Sequence, residues 1–161
     1  MNRNTHFWTQ AAMIAAVYVV LTVVFAPLSF GEVQVRISEA LTILPLFTPA
    51  AVPGLFMGCL LGNMLGGAVL PDIVFGSLAT LAGAFFTYRL RGASPILGPL
   101  PPIIANTLVV PFVLRYAYGV DLPIPVMMIS VGIGEVISCG ILGLALYFGI
   151  RGKASQIFKT A

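Results

Sequence analysis

The sequence predicts an all-α integral membrane protein, folded as one bundle of six transmembrane helices over residues 1–161. Two observations lead to this fold class. Hydrophobic residues make up 59% of the chain and charged residues only 8%, with a mean hydropathy of +1.05, whereas an ordinary soluble domain has about 25% charged residues. The few charges are also widely spaced, since residues 4–31 and 40–71 contain no Asp, Glu, Lys or Arg. Such stretches are long enough to cross a bilayer.

Charges and prolines delimit the individual helices. The first helix is expected at about 9–27, in a stretch without the small-residue cleavage site of a signal peptide. The next uncharged stretch is too long for one span and contains Pro45, Pro49 and Pro53. We therefore expect a short or broken helix at about 38–47, with Ser38 as its N-cap, and another at about 50–69. The last three helices are expected at about 71–90, 96–114 and 125–150.

The distribution of basic residues predicts the orientation. An even number of spans places both termini on one side, which receives six of the eight basic residues: Arg3, Arg89, Arg91, Arg151, Lys153 and Lys159. By the positive-inside rule, this side is the cytoplasm. The net charge of +3 is then explained by the orientation of the chain in the membrane. Nucleic-acid binding is not expected, because a nucleic-acid site needs basic residues clustered with stacking aromatic side chains.

The motifs that are missing from the sequence argue against an enzyme. There is no Gly-x-x-x-x-Gly-Lys-Ser/Thr loop, so any ATP hydrolysis must take place in another subunit. His6 is the single histidine, which leaves metal hydrolysis and histidine-assisted nucleophilic catalysis unsupported. Cys59 and Cys139 lie in apolar stretches and are interpreted as small packing residues.

Two stripes of small residues predict close helix packing. The helix at 50–69 carries glycines at four-residue intervals, which allow a neighbouring helix to approach closely. These glycines are Gly54, Gly58, Gly62 and Gly66. The first helix carries two overlapping Ala-x-x-x-Ala pairs near its cytoplasmic end, formed by Ala11, Ala12, Ala15 and Ala16. The alanines are compatible either with packing inside the chain or with docking to another membrane subunit.

Polar residues inside the membrane are the candidate ligand contacts, because burying them is costly. Glu135 is expected near the bilayer midplane, and Asn63 and Asn106 in the outer half. The alternative role of each asparagine is a hydrogen bond to a neighbouring helix. A carboxylate at the depth of Glu135 needs a partner, a ligand or a proton.

The segment 32–39 alternates apolar and polar residues, which predicts an extended lid on the outer face. It presents Arg36, while Glu39 begins the second helix and points into the bundle. The alternatives are a surface pair between Arg36 and Glu39 and, for Asp72 and Asp121, solvated loop charges or helix N-terminal acids.

These residues together predict a chamber open to the outside. Its carboxylates favour a small ligand that is cationic or rich in N–H groups, such as the edge of a guanine ring. The aromatic residues Phe30, Phe112 and Tyr116 are candidates for stacking on a flat ring, with membrane-interface anchoring as the alternative for Tyr116.

The stretch 34–45, Gln-Val-Arg-Ile-Ser-Glu-Ala-Leu-Thr-Ile-Leu-Pro, resembles the queuosine-precursor transporter (QueT) family. The resemblance continues through Phe47-Thr48-Pro49, Gly54-Leu55, Gly58-Cys59 and Asn63, and covers nearly the whole chain. Proteins of this family are substrate-binding S components of energy-coupling factor transporters.

The resemblance implies an S-component-like bundle in the plasma membrane of a prokaryote. Its ligand would be queuine or its aminomethyl or nitrile precursor, captured from outside, and its partners a membrane T component and two cytoplasmic ATPases. The chain itself would need no cofactor, because the ATPases use the ATP. The alanines of the first helix would contact the T component.

The resemblance also assigns roles in the site. Glu39 and Glu135 would hold the guanine-like edge or an aminomethyl cation, and Arg36 would act as a gate. Asn63 and Asn106 would complete the set of donors and acceptors, and Asp72 is included in the predicted site.

Two other functions remain open from the sequence. One is a stand-alone, proton-coupled small-molecule carrier, with Glu135 as its proton-binding group. The other is a small intramembrane enzyme that uses Glu39 and Glu135 as acid and base.

Overall fold

The structure, a computed structural model, describes residues 3–29 and 35–158, and every regular element in these ranges is helical. The α-helices are α1 (Arg3–Val24), α2 (Ala26–Ser29), α3 (Ala51–Leu65), α4 (Leu70–Arg89), α5 (Leu100–Tyr116), α6 (Ile124–Glu135), α7 (Gly143–Ile150) and α8 (Ala154–Ile157). Two 3-10 helices cover Ile37–Leu46 and Pro95–Leu97, and a π-helix covers Val136–Leu142. The predicted all-α fold class is confirmed.

Several helical segments have the length and composition of membrane spans. Four are long and apolar enough to cross a bilayer: Arg3–Val24, Leu70–Arg89, Pro95–Tyr116 and Ile124–Ile150. The helices Ile37–Leu46 and Ala51–Leu65 are apolar but shorter. Large apolar side chains such as Leu65, Leu70 and Ile129 are exposed on the outside of the bundle, as a lipid-facing surface requires. The number of six spans and the cytoplasmic location of the termini stay predictions.

Three of the predicted helices have different bounds in the structure. The first helix begins earlier, at Arg3, and ends at Val24, where α2 follows. The third ends at Leu65, because the next turn contains Gly67 with a φ of 77°, a conformation that favours glycine. The α-helix predicted from residue 96 begins at Leu100, after a short 3-10 helix. The last predicted helix is one run in which α6, the π-helix and α7 follow each other without a gap.

The short helix expected at about 38–47 lies at Ile37–Leu46 in the structure, so the extended lid expected at 32–39 is wrong over its last three residues. Arg36 has an extended backbone, with φ −94° and ψ 101°, but the 3-10 helix begins at Ile37. Ser38 consequently lies inside the first turn and is not the N-cap. All residues from Ser38 to Pro45 are buried, and a buried backbone in an apolar bundle must form its hydrogen bonds internally, which a helix does. Residues 32–34 lie outside the described residues.

The longer 3-10 helix, Ile37–Leu46, occupies the interior of the bundle. The helices α1 and α3 form a close seam beside it. The 3-10 helix contacts α1, α3, α4, α7 and the π-helix. The glycine stripe of α3 packs on α1 as predicted, since a Cβ on Gly58 would lie 2.7 Å from Tyr18 Cβ, and one on Gly54 would lie 2.7 Å from the Ala11 carbonyl oxygen. A Cβ on Gly62 would lie 3.2 Å from Thr22 Cβ, whereas Gly66, the fourth glycine of the predicted stripe, lies beyond the end of α3. Only glycine allows these two helices to lie so close.

Candidate ligand-binding site

All six of the polar residues predicted for the site are buried, and the structure brings them together. We call this set the polar cluster: Arg36, Glu39, Asn63, Asp72, Asn106 and Glu135. Its members lie on five different helices, apart from Arg36, which directly precedes the helix Ile37–Leu46. The cluster therefore lies where the elements of the bundle converge. Burying so many polar groups in an apolar bundle is costly unless they bind each other or a ligand.

Arg36 and Asp72 form one half of the polar cluster. Arg36 Nη2 lies 3.5 Å from Asp72 Oδ2, and Arg36 Nη1 donates a hydrogen bond to Asn63 Oδ1 at 3.5 Å. Asp72 lies in the first turn of α4, where the helix dipole favours a carboxylate. The alternative of a surface pair between Arg36 and Glu39 is therefore wrong, as is a solvated loop position for Asp72. Asp121 does lie at the surface, paired with Arg115.

Tyr118, in the loop between α5 and α6, covers this ion pair. Its hydroxyl donates a hydrogen bond to Asp72 Oδ2 at 2.9 Å and accepts one from the backbone N–H of Val69 at 3.4 Å. Partial burial, together with the charge of Asp72, raises the pKa of Tyr118 to about 12. The hydroxyl therefore stays protonated at neutral pH. Its contribution to stability is present below pH 10 and is lost as the pH rises through about 12.

Glu39 and Glu135 form the other half of the polar cluster, together with Cys139. One side-chain oxygen of each glutamate and the Cys139 sulfur all lie within 4.8 Å of one another. Tyr18 donates a hydrogen bond to Glu39 Oε1, and Cys139 Sγ donates one to Glu135 Oε2 at 3.1 Å. Asn106 also interacts with the Glu135 carboxylate.

One oxygen of this carboxylate pair lacks a hydrogen-bond donor. Thr80 interacts with the Glu39 carboxylate, but Glu39 Oε2 is buried and accepts no hydrogen bond of normal geometry from the described residues. Two carboxylates this close in an apolar interior favour a proton, a cation or an N–H donor between them.

Phe112 and Tyr116, two of the aromatic residues proposed for ring stacking, do not line this cluster. Phe112 and Tyr116 are exposed on α5 and line an apolar groove of about 400 Å³ with Pro71 and Phe75. The position of Tyr116 at the outside of the bundle favours the interface-anchoring alternative for this residue. Phe30 lies outside the described residues.

Comparison with known proteins identifies the family. The family model described as QueT transporter matches residues 8–152. The chain belongs to the QueT transporter family. The queuosine precursor transporter QueT of Lactococcus lactis subsp. cremoris (strain MG1363) is 33% identical over 80 residues, which cover 48% of this chain and 47% of that protein. The matched region thus spans about half the length of this curated relative. No solved structure matches the chain.

In this QueT family member, the alanine stripe of α1 has two faces. Ala11 and Ala15 are buried and pack against the glycines of α3, which confirms the internal-packing alternative for these two residues. Ala12 and Ala16 are exposed. They lie along an apolar groove of about 590 Å³ whose walls include Trp8, Met57 and Leu61. Docking to a partner stays a prediction, and it now concerns only this exposed face.

Several residues that support the site in this QueT family member were not predicted from the sequence. Tyr18, Tyr118 and Cys139 donate hydrogen bonds to carboxylates of the polar cluster, and Thr22 donates one to Ser38, next to Glu39. Tyr18 and Thr22 follow Ala11 and Ala15 at helical spacing, so they share the buried face of α1. Cys139 is free and buried, as a packing residue would be, but it also lies four residues after Glu135 and donates to it. No sequence pattern indicated a role for Tyr118, because its contact with Asp72 joins residues that are far apart in the sequence.

Proposed function

We propose that this chain is the substrate-binding membrane subunit of an ATP-driven importer of the energy-coupling factor type. It captures a queuosine precursor, a 7-deazaguanine such as queuine or its aminomethyl or nitrile precursor, from outside the cell. A membrane T component and two cytoplasmic ATPases supply the energy, in the plasma membrane of a prokaryote. Membership in a transporter family supports transport over the enzyme hypothesis, and the name of the Lactococcus relative supports the ligand class.

The observation that carries this proposal is the buried polar cluster with its unsatisfied carboxylate oxygens. Glu39 Oε2 and Asp72 Oδ1 are both buried, and neither accepts a hydrogen bond from the part of the chain that the structure describes. The edge of a deazaguanine ring offers adjacent N–H donors, which carboxylates bind strongly. The amides of Asn63 and Asn106 add both donors and acceptors. We assign the gating role to Arg36, whose guanidinium lies 3.5 Å from Asp72 within this cluster.

A second candidate function is a stand-alone, proton-coupled carrier. The closeness of Glu39 and Glu135 favours it, because a carboxylate pair is able to share a proton. Uptake of ligand into vesicles that contain only this chain, driven by a pH gradient, is expected from a carrier and not from a binding subunit.

The proposed function is tested by calorimetric titration of the detergent-purified chain with queuine, its aminomethyl precursor, guanine and thiamine. We expect tight one-to-one binding of the deazaguanines and none of thiamine. Asn106→Ala is expected to weaken binding by about tenfold, the value of one hydrogen bond to a buried polar group. Asn4→Ala, which changes an exposed asparagine on α1, is the matched control. If no deazaguanine binds the wild-type chain, the proposed substrate class is wrong.

Partner docking is tested on the exposed alanines. Ala16→Leu fills part of the groove beside Met57 and Leu61, so we expect it to reduce co-purification with the T component and ATPases by about tenfold or more while ligand affinity is unchanged. Ala82→Leu enlarges an exposed alanine on α4 and is expected to leave assembly intact. Equal assembly of the two variants would show that the groove is not the docking surface.

A further inference from the structure

The polar cluster contains more negative than positive formal charge. It has three buried carboxylates, on Glu39, Asp72 and Glu135, and Arg36 is the one buried cation among the described residues. The undescribed segment 30–34 contains no basic residue that would add a second cation. The cluster is therefore short of positive charge.

The Glu39–Glu135 pair is the part of the polar cluster that lacks a compensating positive charge. The guanidinium of Arg36 lies within ion-pair distance of Asp72, which leaves Asp72 compensated. The side chains that contact the two glutamates are those of Tyr18, Thr80, Asn106 and Cys139. They are two hydroxyls, an amide and a thiol, which bring hydrogen bonds but no positive charge. The charge of Arg36 also acts on both glutamates, but it is shared with Asp72. A compensating charge has to come from a proton or from the ligand.

The spacing of this pair fits an ammonium group. The hydrogen bond from an ammonium nitrogen to a carboxylate oxygen is about 2.8 Å long, so one nitrogen is able to bridge two oxygens up to about 5.6 Å apart. The two glutamates have oxygens within 4.8 Å of each other. Glu39 Oε2 has its hydrogen-bonding capacity unused by the described residues, and an ammonium has three N–H donors to offer.

Building on the proposed function, we infer that the site selects a deazaguanine that carries a protonated amine, held between Glu39 and Glu135, over one with a neutral substituent. The aminomethyl precursor has this group. The nitrile precursor has the same ring but a neutral acceptor, which repels a carboxylate and leaves the pair uncompensated. The charge of the pair, and not the ring alone, determines which 7-deazaguanine binds most tightly.

The test compares 7-aminomethyl-7-deazaguanine with 7-cyano-7-deazaguanine by titration of the full purified chain. EDTA is present, so that no divalent cation compensates the carboxylates. We expect the aminomethyl compound to bind at least about tenfold more tightly. Glu135→Gln is expected to remove most of this preference. It should weaken the binding of the aminomethyl compound, whereas the affinity for the nitrile compound should change by less than about threefold. Glu39→Gln serves as a second variant if Glu135→Gln does not fold, and Asp121→Asn, which changes an exposed acid, should leave the preference unchanged.

The outcomes separate this inference from the proposed function. Equal affinity for the two compounds in the wild-type chain overturns the inference and leaves the proposed function standing. A glutamine variant that weakens both compounds by the same factor shows that the glutamate acts structurally, which also overturns the inference. If neither compound binds the wild-type chain, both the proposed function and the inference fail.

Discussion

Replacing Arg36 with methionine is expected to destabilise the protein by about 3 to 5 kcal/mol and to abolish ligand binding. The guanidinium is buried, 3.5 Å from Asp72, and also donates to Asn63. Removing it leaves the Asp72 carboxylate buried without its cation, which is the costly half of breaking a buried ion pair. The measurement is thermal unfolding of the purified variant in detergent, followed by titration with a deazaguanine.

A second substitution separates charge from packing in this experiment. Asp72→Asn in the Arg36→Met background removes the uncompensated charge, so the double variant should recover much of the lost stability but not the ligand affinity. Arg115→Met breaks an exposed pair with Asp121 and is expected to cost less than about 1 kcal/mol. A double variant that is as unstable as Arg36→Met alone would contradict this account of the ion pair.

The second large effect is expected from Gly58→Ala, which adds a single methyl group to the seam between α1 and α3. The new Cβ would lie 2.7 Å from Tyr18 Cβ and 3.1 Å from Ala15 Cα, so the helices must separate. Overpacking of this kind costs about 1 to 3 kcal/mol. Because Tyr18 also donates to Glu39, we expect weaker ligand binding as well as a lower unfolding temperature.

Gly149→Ala is the matched control for this substitution. Gly149 lies in α7, and nothing is within 4 Å of an added Cβ. An alanine there should be neutral or should stabilise the helix by up to about 1 kcal/mol. Similar unfolding temperatures for the two variants would show that the close approach of α1 and α3 does not limit stability.

The helical composition of the fold and the membership of the polar cluster were accessible from the sequence, for the same physical reason. An apolar environment makes each polar group costly, so Glu135, Asn63 and Asn106 were visible as exceptions within apolar stretches. The glycine intervals predicted the seam of α3 because the spacing alone defines a helix face. Both signals are local, and one sequence is sufficient to see them.

The features that the sequence did not predict depend on packing between distant segments. The alternation at 32–39 is a local signal for a strand, but burial by the surrounding helices makes residues 37–39 helical. The alanines of α1 divide between an inner and an outer face according to the direction from which α3 approaches. Tyr118 reaches Asp72 because α4 and α5 pack side by side, with the end of α5 next to the start of α4. None of these contacts produces a periodic pattern that can be recognised in one sequence.

The π-helix at Val136–Leu142 sets the rotational register of the last membrane helix. It has wider turns than an α-helix, so it accommodates additional chain between α6 and α7. The buried residues Glu135, Cys139 and Gly143 fall on one face across it. Because these wider turns already take up the additional chain, deleting one residue from this segment would let α6 and α7 join as one continuous α-helix. The π-helix thus allows the last membrane helix to contain an additional residue while Glu135 keeps its place beside Glu39.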